Sequence, residues 1–130
     1  MRTSAIILGI FLVGGCRPGK IEPVDIFPED ICGNCRMAIS DKAFASEIIT
    51  EQGEVQKFDD IGCMESYRIK NPGISVAANF VSDYETKAWL RLENSIIMKT
   101  GIETPMGSGK IALSDSAKAK SYADKYPLAD

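Results

Sequence analysis

Beyond about residue 40 the chain switches between strand-like alternation and helical spacing, and each switch falls at turn-forming residues. Residues 43–52, AFASEIITEQ, form a mixed apolar run that stops at Gly53. Residues 54–59, EVQKFD, alternate, with Val55 and Lys57 on one face and Gln56 and Phe58 on the other. Two such runs meeting at Gln52-Gly53 predict a β-hairpin. Asp60 stands as N-cap to a helix through residues 62–68, GCMESYR, which Asn71-Pro72-Gly73 ends. Cys63 then takes the third helical position, with Tyr67 one turn on. Residues 74–82, ISVAANFVS, read as a strand and 83–86 as a turn. Residues 87–92, KAWLRL, alternate with Ala88, Leu90 and Leu92 on one face, and 95–99, SIIMK, predict a further strand with room for a helical turn around Glu93. Residues 104–110, TPMGSGK, are a Gly- and Pro-containing loop before a short strand at 111–113. Ser114 or Asp115 caps a last helix with Ala117, Ala119, Tyr122, Ala123 and Tyr126 along a loose apolar side. Trp89 and Met98 are assigned to the core, and Tyr84 and Phe58 to the core or its rim. The order predicts an α+β fold, a small antiparallel sheet with two helices.

The N-terminal pattern is different. Arg2 precedes an apolar run at 5–13, AIILGIFLV, then Gly14, Gly15 and Cys16. A positive start, a short apolar core and small residues describe a secretory signal peptide, 1–15. The run is too short for a spanning helix, which needs roughly 20 residues. The ending LVGGC resembles a bacterial lipobox, in which the cysteine becomes the lipidated first residue; the alternatives are a plain secretory signal or a cysteine there by chance. Residues 16–28 carry three prolines and read as a lipidated tether that lets the domain swing. The remaining 29–130 form one domain, extracytoplasmic and held to the bacterial cell envelope through Cys16, facing the periplasm.

Charge and residue inventory narrow the chemistry. Net charge is −3 over 130 residues, so no basic field exists to hold nucleic acid. Histidine is absent, which removes the commonest general base and metal ligand together. With Cys16 assigned to lipid, Cys32, Cys35 and Cys63 remain, an odd number for a disulfide framework. They fall in two of three sulfur-bearing segments: Cys32-Gly-Asn-Cys35-Arg-Met37, Phe58-Asp59-Asp60-Ile-Gly-Cys63-Met64 and Thr104-Pro-Met106-Gly-Ser-Gly109. Each has an ordinary reading alone. The C-x-x-C is a redox pair or local disulfide, Cys63 a small hydrophobe, Met64 and Met106 core fillers, Asp59 and Asp60 a turn and a cap. Together they favour a soft metal. Three thiols without histidine fall short of the usual zinc sets, calcium wants oxygen cages, and thiolates with thioethers select Cu(I). The helix dipole at Cys63 should favour its thiolate.

These segments resemble the NosL family of copper-chaperone lipoproteins of nitrous oxide reductase maturation. The resemblance rests on Cys16, on C-x-x-C-x-M at 32–37 followed by Asp41, on FDDIGCM at 58–64, on V-x-D-Y-x-T at 81–86 with Trp89, and on PMGSG at 105–109. It implies a fold similar to organomercurial lyase, Cu(I) as cargo, and delivery to nitrous oxide reductase or its membrane-associated assembly proteins. Family members often show C-G-M where this chain has Cys35-Arg36-Met37. On this reading the metal ligands are Cys63 and Met106 first, then Met37, Cys35 and Met64. Asp60 and Asp59 stand behind them, and Cys32 is the half of the pair copper does not need. The chain is then a metallochaperone and not an enzyme. Three alternatives stand beside it: a thiol–disulfide protein using Cys32 and Cys35, a lyase-like enzyme using Cys35, Cys63 and Asp60, and a purely structural lipoprotein.

Overall fold

The computed structural model describes residues 19–129. The signal sequence and Cys16 lie outside the described residues. Two antiparallel sheets and two helices make up the α+β fold. The hairpin strands β1 (Ser46–Thr50) and β2 (Val55–Phe58) turn at Gly53, whose φ of +84° is open to glycine at little cost. Helix α1 (Ile61–Lys70) follows at once, then β3 (Val76–Ser82) and β4 (Trp89–Arg91). After a 3-10 turn at Leu92–Asn94, β5 (Ile96–Lys99) and β6 (Lys110–Leu113) form a second hairpin, and α2 (Ser116–Lys125) ends the fold.

The larger sheet runs β2-β1-β3-β4, and among the described residues β5 pairs only with β6. A parallel bridge between Asp83 and Ala112 joins the two sheets, with Tyr84 N–H donating to the Ala112 carbonyl at 2.8 Å. Both helices start the same way. A strand ends, and an aspartate two residues later caps the helix: the Asp60 carboxylate accepts from Gly62 N–H, and the Asp115 carboxylate accepts from Ala117 and Lys118 N–H. Such a cap is worth about 1 kcal/mol.

β1 is buried along its whole length. Ile48 belongs to the main core with Phe58, Ile61, Met64, Val81 and Ala112. Fully burying a side chain such as Phe58 contributes about 2–3 kcal/mol. The next residue along, Ile49, packs instead with Ala78 and Phe80, and Ile21 closes over them. Trp89 and Met98 are only partly buried at the edges of these clusters.

The stretch expected to be a free tether is largely docked. Ile21 lies on the sheet, its carbonyl accepting from the Arg91 guanidinium at 3.3 Å, and Val24 N–H donates to Glu47 Oε1 at 3.0 Å. Asp25 pairs with Lys42, Asp30 pairs with Lys57 at 2.6 Å, and the Phe27 ring faces the Lys57 ammonium. Ile26 packs against the main core. Prolines signalled a tether, and the segment carries no helix or strand; its apolar residues and carboxylates find partners on the sheet that no local pattern shows.

Candidate metal centre

Three loops bring sulfur to one end of α1. The 32–37 turn closes on itself: Cys32 N–H donates to the Met37 carbonyl at 2.8 Å and Arg36 N–H to the Cys32 carbonyl at 3.0 Å. It also joins the open edge of β2, where Gly33 N–H donates to the Lys57 carbonyl at 2.8 Å. Closing this turn puts Arg36 at φ +67°, a left-handed conformation. That position suits glycine better than arginine.

The β2–α1 junction supplies the facing groups. Cys63 lies in the first turn of α1 and Asp59 in the two-residue link before it. Sγ of Cys32, Cys35 and Cys63 and a carboxylate oxygen of Asp59 all lie within 4.8 Å of one another. A metal–sulfur bond of about 2.3 Å holds sulfurs roughly 3.8–4.0 Å apart, so the four donors fit around one ion. All three thiols are unpaired in the structure. Cys35 Sγ is 3.3 Å from Asp59 Oδ2, and Asn34 Nδ2 is 3.6 Å from Cys63 Sγ.

Three expectations change here. Cys32, set aside as dispensable, is buried within the cluster. Asp59, expected behind the ligands, offers an oxygen among them, so the donors number four and zinc is no longer excluded by count. Cys63 does not titrate low. Burial pushes its thiol up, the Asn34 amide opposes this, and the nearby Cys32 and Asp59 add to it. Burial likewise pushes Cys35 up to about 11, against a hydrogen bond from Met37 N–H and with Cys32 and Asp59 reinforcing the rise. The helix dipole favours a thiolate by about 1 kcal/mol, which is too little to offset desolvation beside a carboxylate.

The methionines divide. Met64, the last of the expected ligands, is buried in the main core against the sheet. Met37 and Met106 are 56% and 45% exposed. The third loop reaches α1 through Asp60, whose Oδ1 accepts from Gly62 N–H while Oδ2 accepts from Thr104 Oγ1 at 2.6 Å and Met106 N–H at 3.0 Å. Burial raises this carboxyl, but hydrogen bonds from Ser108, Thr104, Gly62 and Met106 outweigh it and hold it below the usual range. The loop lies so close that a Cβ on Gly62 would meet Ser108 Cβ at 2.7 Å. Asp60 therefore caps the Cys63 helix and fixes the backbone of Met106 with one buried carboxylate.

The residue missed by sequence reasoning is Asn34. Its only signal was its place inside the C-x-x-C, and nothing local pointed to a partner twenty-nine residues away.

A family model for NosL matches residues 23–127. The chain belongs to the NosL family. Its fold is also that of a solved structure, "Crystal structure of the copper chaperone NosL from Shewanella denitrificans", with a TM-score of 0.72 and 18% identity over 84% of this chain and 90% of that one. A search of curated protein sequences finds no significant match. The NosL match covers all three sulfur segments and begins at residue 23, inside the stretch expected as a tether.

Proposed function

We propose that the protein is a Cu(I) carrier, anchored outside the cytoplasm through lipid on Cys16. The observation that carries this reading is the convergence of three thiol sulfurs and one carboxylate oxygen within 4.8 Å. Soft thiolates without imidazole favour Cu(I) among biological metals. Family membership and the shared fold with a copper chaperone support the same cargo.

The geometry supports capture followed by exchange. Met37 and Met106 present neutral thioethers at the surface, while Cys32 and Cys63 are buried. A thioether needs no deprotonation, so it can take Cu(I) at any ordinary pH. Transfer inward exchanges thioether for thiolate, and each thiol releases its proton as the copper–sulfur bond forms. Handing over reverses these steps. Recipients of this chemistry are nitrous oxide reductase or its membrane-associated assembly proteins.

The thiol–disulfide alternative is less well supported. Such a protein needs an accessible thiol with a lowered pKa, whereas Cys32 is buried and Cys35 is pushed up to about 11 by burial. Competition for Cu(I) against bicinchoninate decides the matter. The carrier strips the chelator's colour in a one-to-one titration, and Met106→Leu slows uptake or weakens binding. A chelator spectrum unaffected by reduced protein rejects the reading, and preference for Zn(II) over Cu(I) at equal free concentration reassigns the four donors.

A further inference from the structure

Both ends of the Asn34 amide are in use. Oδ1 accepts from Lys70 Nζ at 2.9 Å, and Nδ2 faces Cys63 Sγ at 3.6 Å. An ammonium group only donates. Lys70 therefore selects the oxygen end of the amide and leaves the NH₂ group turned to sulfur. Lys70 is the last residue of α1 and Cys63 the third, so one helix carries both contacts.

The charge of the site gives this orientation a purpose. Three thiolates and Asp59 bring four negative charges to a space where all donor atoms lie within 4.8 Å of one another, and Cu(I) returns a single positive one. Cys35 has the Met37 backbone N–H as a donor, but its other close neighbour is the Asp59 carboxylate. Cys63 has the Asn34 amide. An N–H···S bond withdraws charge from sulfur and leaves its other lone pairs for metal. Lys70 polarises that amide from outside, so a cation serves the cluster without occupying it.

We infer that Asn34, oriented by Lys70, is a positioning residue of the metal centre, steering a donor onto the Cys63 thiolate and offsetting the excess negative charge of the loaded site. This rests on the Cu(I) reading. The full chain, reduced and kept anaerobic in detergent, is titrated with Cu(I) against bicinchoninate. Asn34→Leu weakens binding by about 10- to 100-fold, the usual scale for groups that orient a ligand. Asn34→Asp weakens it further, because its carboxylate has no donor to offer. Lys70→Met frees the amide to rotate and gives a smaller loss, roughly threefold to tenfold, which Lys70→Arg restores. In Asn34→Leu the near-ultraviolet Cu(I)–thiolate band moves to longer wavelength, since an unbonded sulfur holds its lone pairs less tightly. A side chain that only supports the fold leaves that band in place.

Lys70 is exposed on the helix end, so its variants test the idea even where Asn34→Leu fails to fold. Wild-type protein that binds Cu(I) while the Asn34 and Lys70 variants bind equally well, with an unmoved band, overturns the inference alone. Wild-type protein that takes up no Cu(I) overturns the carrier reading and this inference with it.

Discussion

Replacing Glu47 with glutamine should stabilise the protein in alkaline solution and leave it nearly unchanged in acid. Glu47, the second residue of β1, is 0% exposed between Lys57 of β2 and Phe80 of β3. Its Oε1 accepts from Val24 N–H, and among the described residues its Oε2 has no hydrogen-bond partner. Burial pushes the carboxyl up to about 7 from an ordinary 4.5, with the Val24 hydrogen bond and the Lys57 charge opposing the rise. Between these two values the folded chain keeps a proton that the unfolded chain has lost, so stability falls as pH rises through that window. Below 4.5 there is no penalty. Above 7 it is complete, at most about 3–4 kcal/mol for a shift of this size, and nearer 1–2 kcal/mol at the high effective dielectric that even buried protein sites show. Glutamine keeps the acceptor for Val24 and cannot ionise. Urea unfolding of both forms at pH 5 and pH 8 measures the effect. The gap between them should open by about 1–2 kcal/mol at the higher pH. An equal gap at both pH values refutes the assignment of a buried, proton-retaining carboxyl.

Arg36→Gly should raise the melting temperature. A non-glycine residue held left-handed costs about 1–2 kcal/mol, and glycine returns part of that as unfolded-state entropy, leaving a gain of about 0.5–1 kcal/mol. Differential scanning calorimetry should show a rise of roughly 2–6 °C, and Lys87→Gly, at φ 59°, should behave alike; a fall in either contradicts the strain argument. Cu(I) affinity should climb with pH between 6 and 8 by up to about one decade per unit for each thiol that releases a proton on binding. Chelator competition at three pH values reads this, and a flat profile excludes Cys35 and Cys63 as ligands. Gly62→Ala should cost stability and detach the Met106 loop, because the added methyl meets Ser108 Cβ at 2.7 Å; unchanged proteolysis within 104–109 counts against the contact.

Local signals carried the fold well. Asp60 and Asp115 each cap the helix expected of them, and the hairpin turns at Gly53 as the alternation requires. Caps, turns and alternation are decided within a few residues, so they survive in one sequence. The site was less legible because its contacts span the chain. Asp59 reads locally as a turn residue, and only the fold sets its carboxylate beside Cys32, Cys35 and Cys63. Met64 looks like Met37 and Met106 in sequence, but helical phase sends it into the core. Desolvation escaped for the same reason. The dipole acting on Cys63 can be read from its position in the helix, whereas the burial that outweighs it belongs to the assembled molecule. The docking of Ile21 and Val24 onto the sheet is another long-range outcome, invisible in a proline-rich composition.

That docking limits reach. Only five peptide units separate Cys16 from Ile21, and fully extended they span at most about 18 Å. If Cys16 carries lipid, as proposed, the domain would stay moored close against the bilayer and would not sweep the space beyond it. On that proposal a recipient would have to come down to the membrane surface to collect copper, and the meeting would become a search in two dimensions. Undocking residues 21–28 would lengthen the line by roughly 28 Å. The pairs Asp25–Lys42 and Asp30–Lys57 would then help to set how far from such an anchor the domain can work.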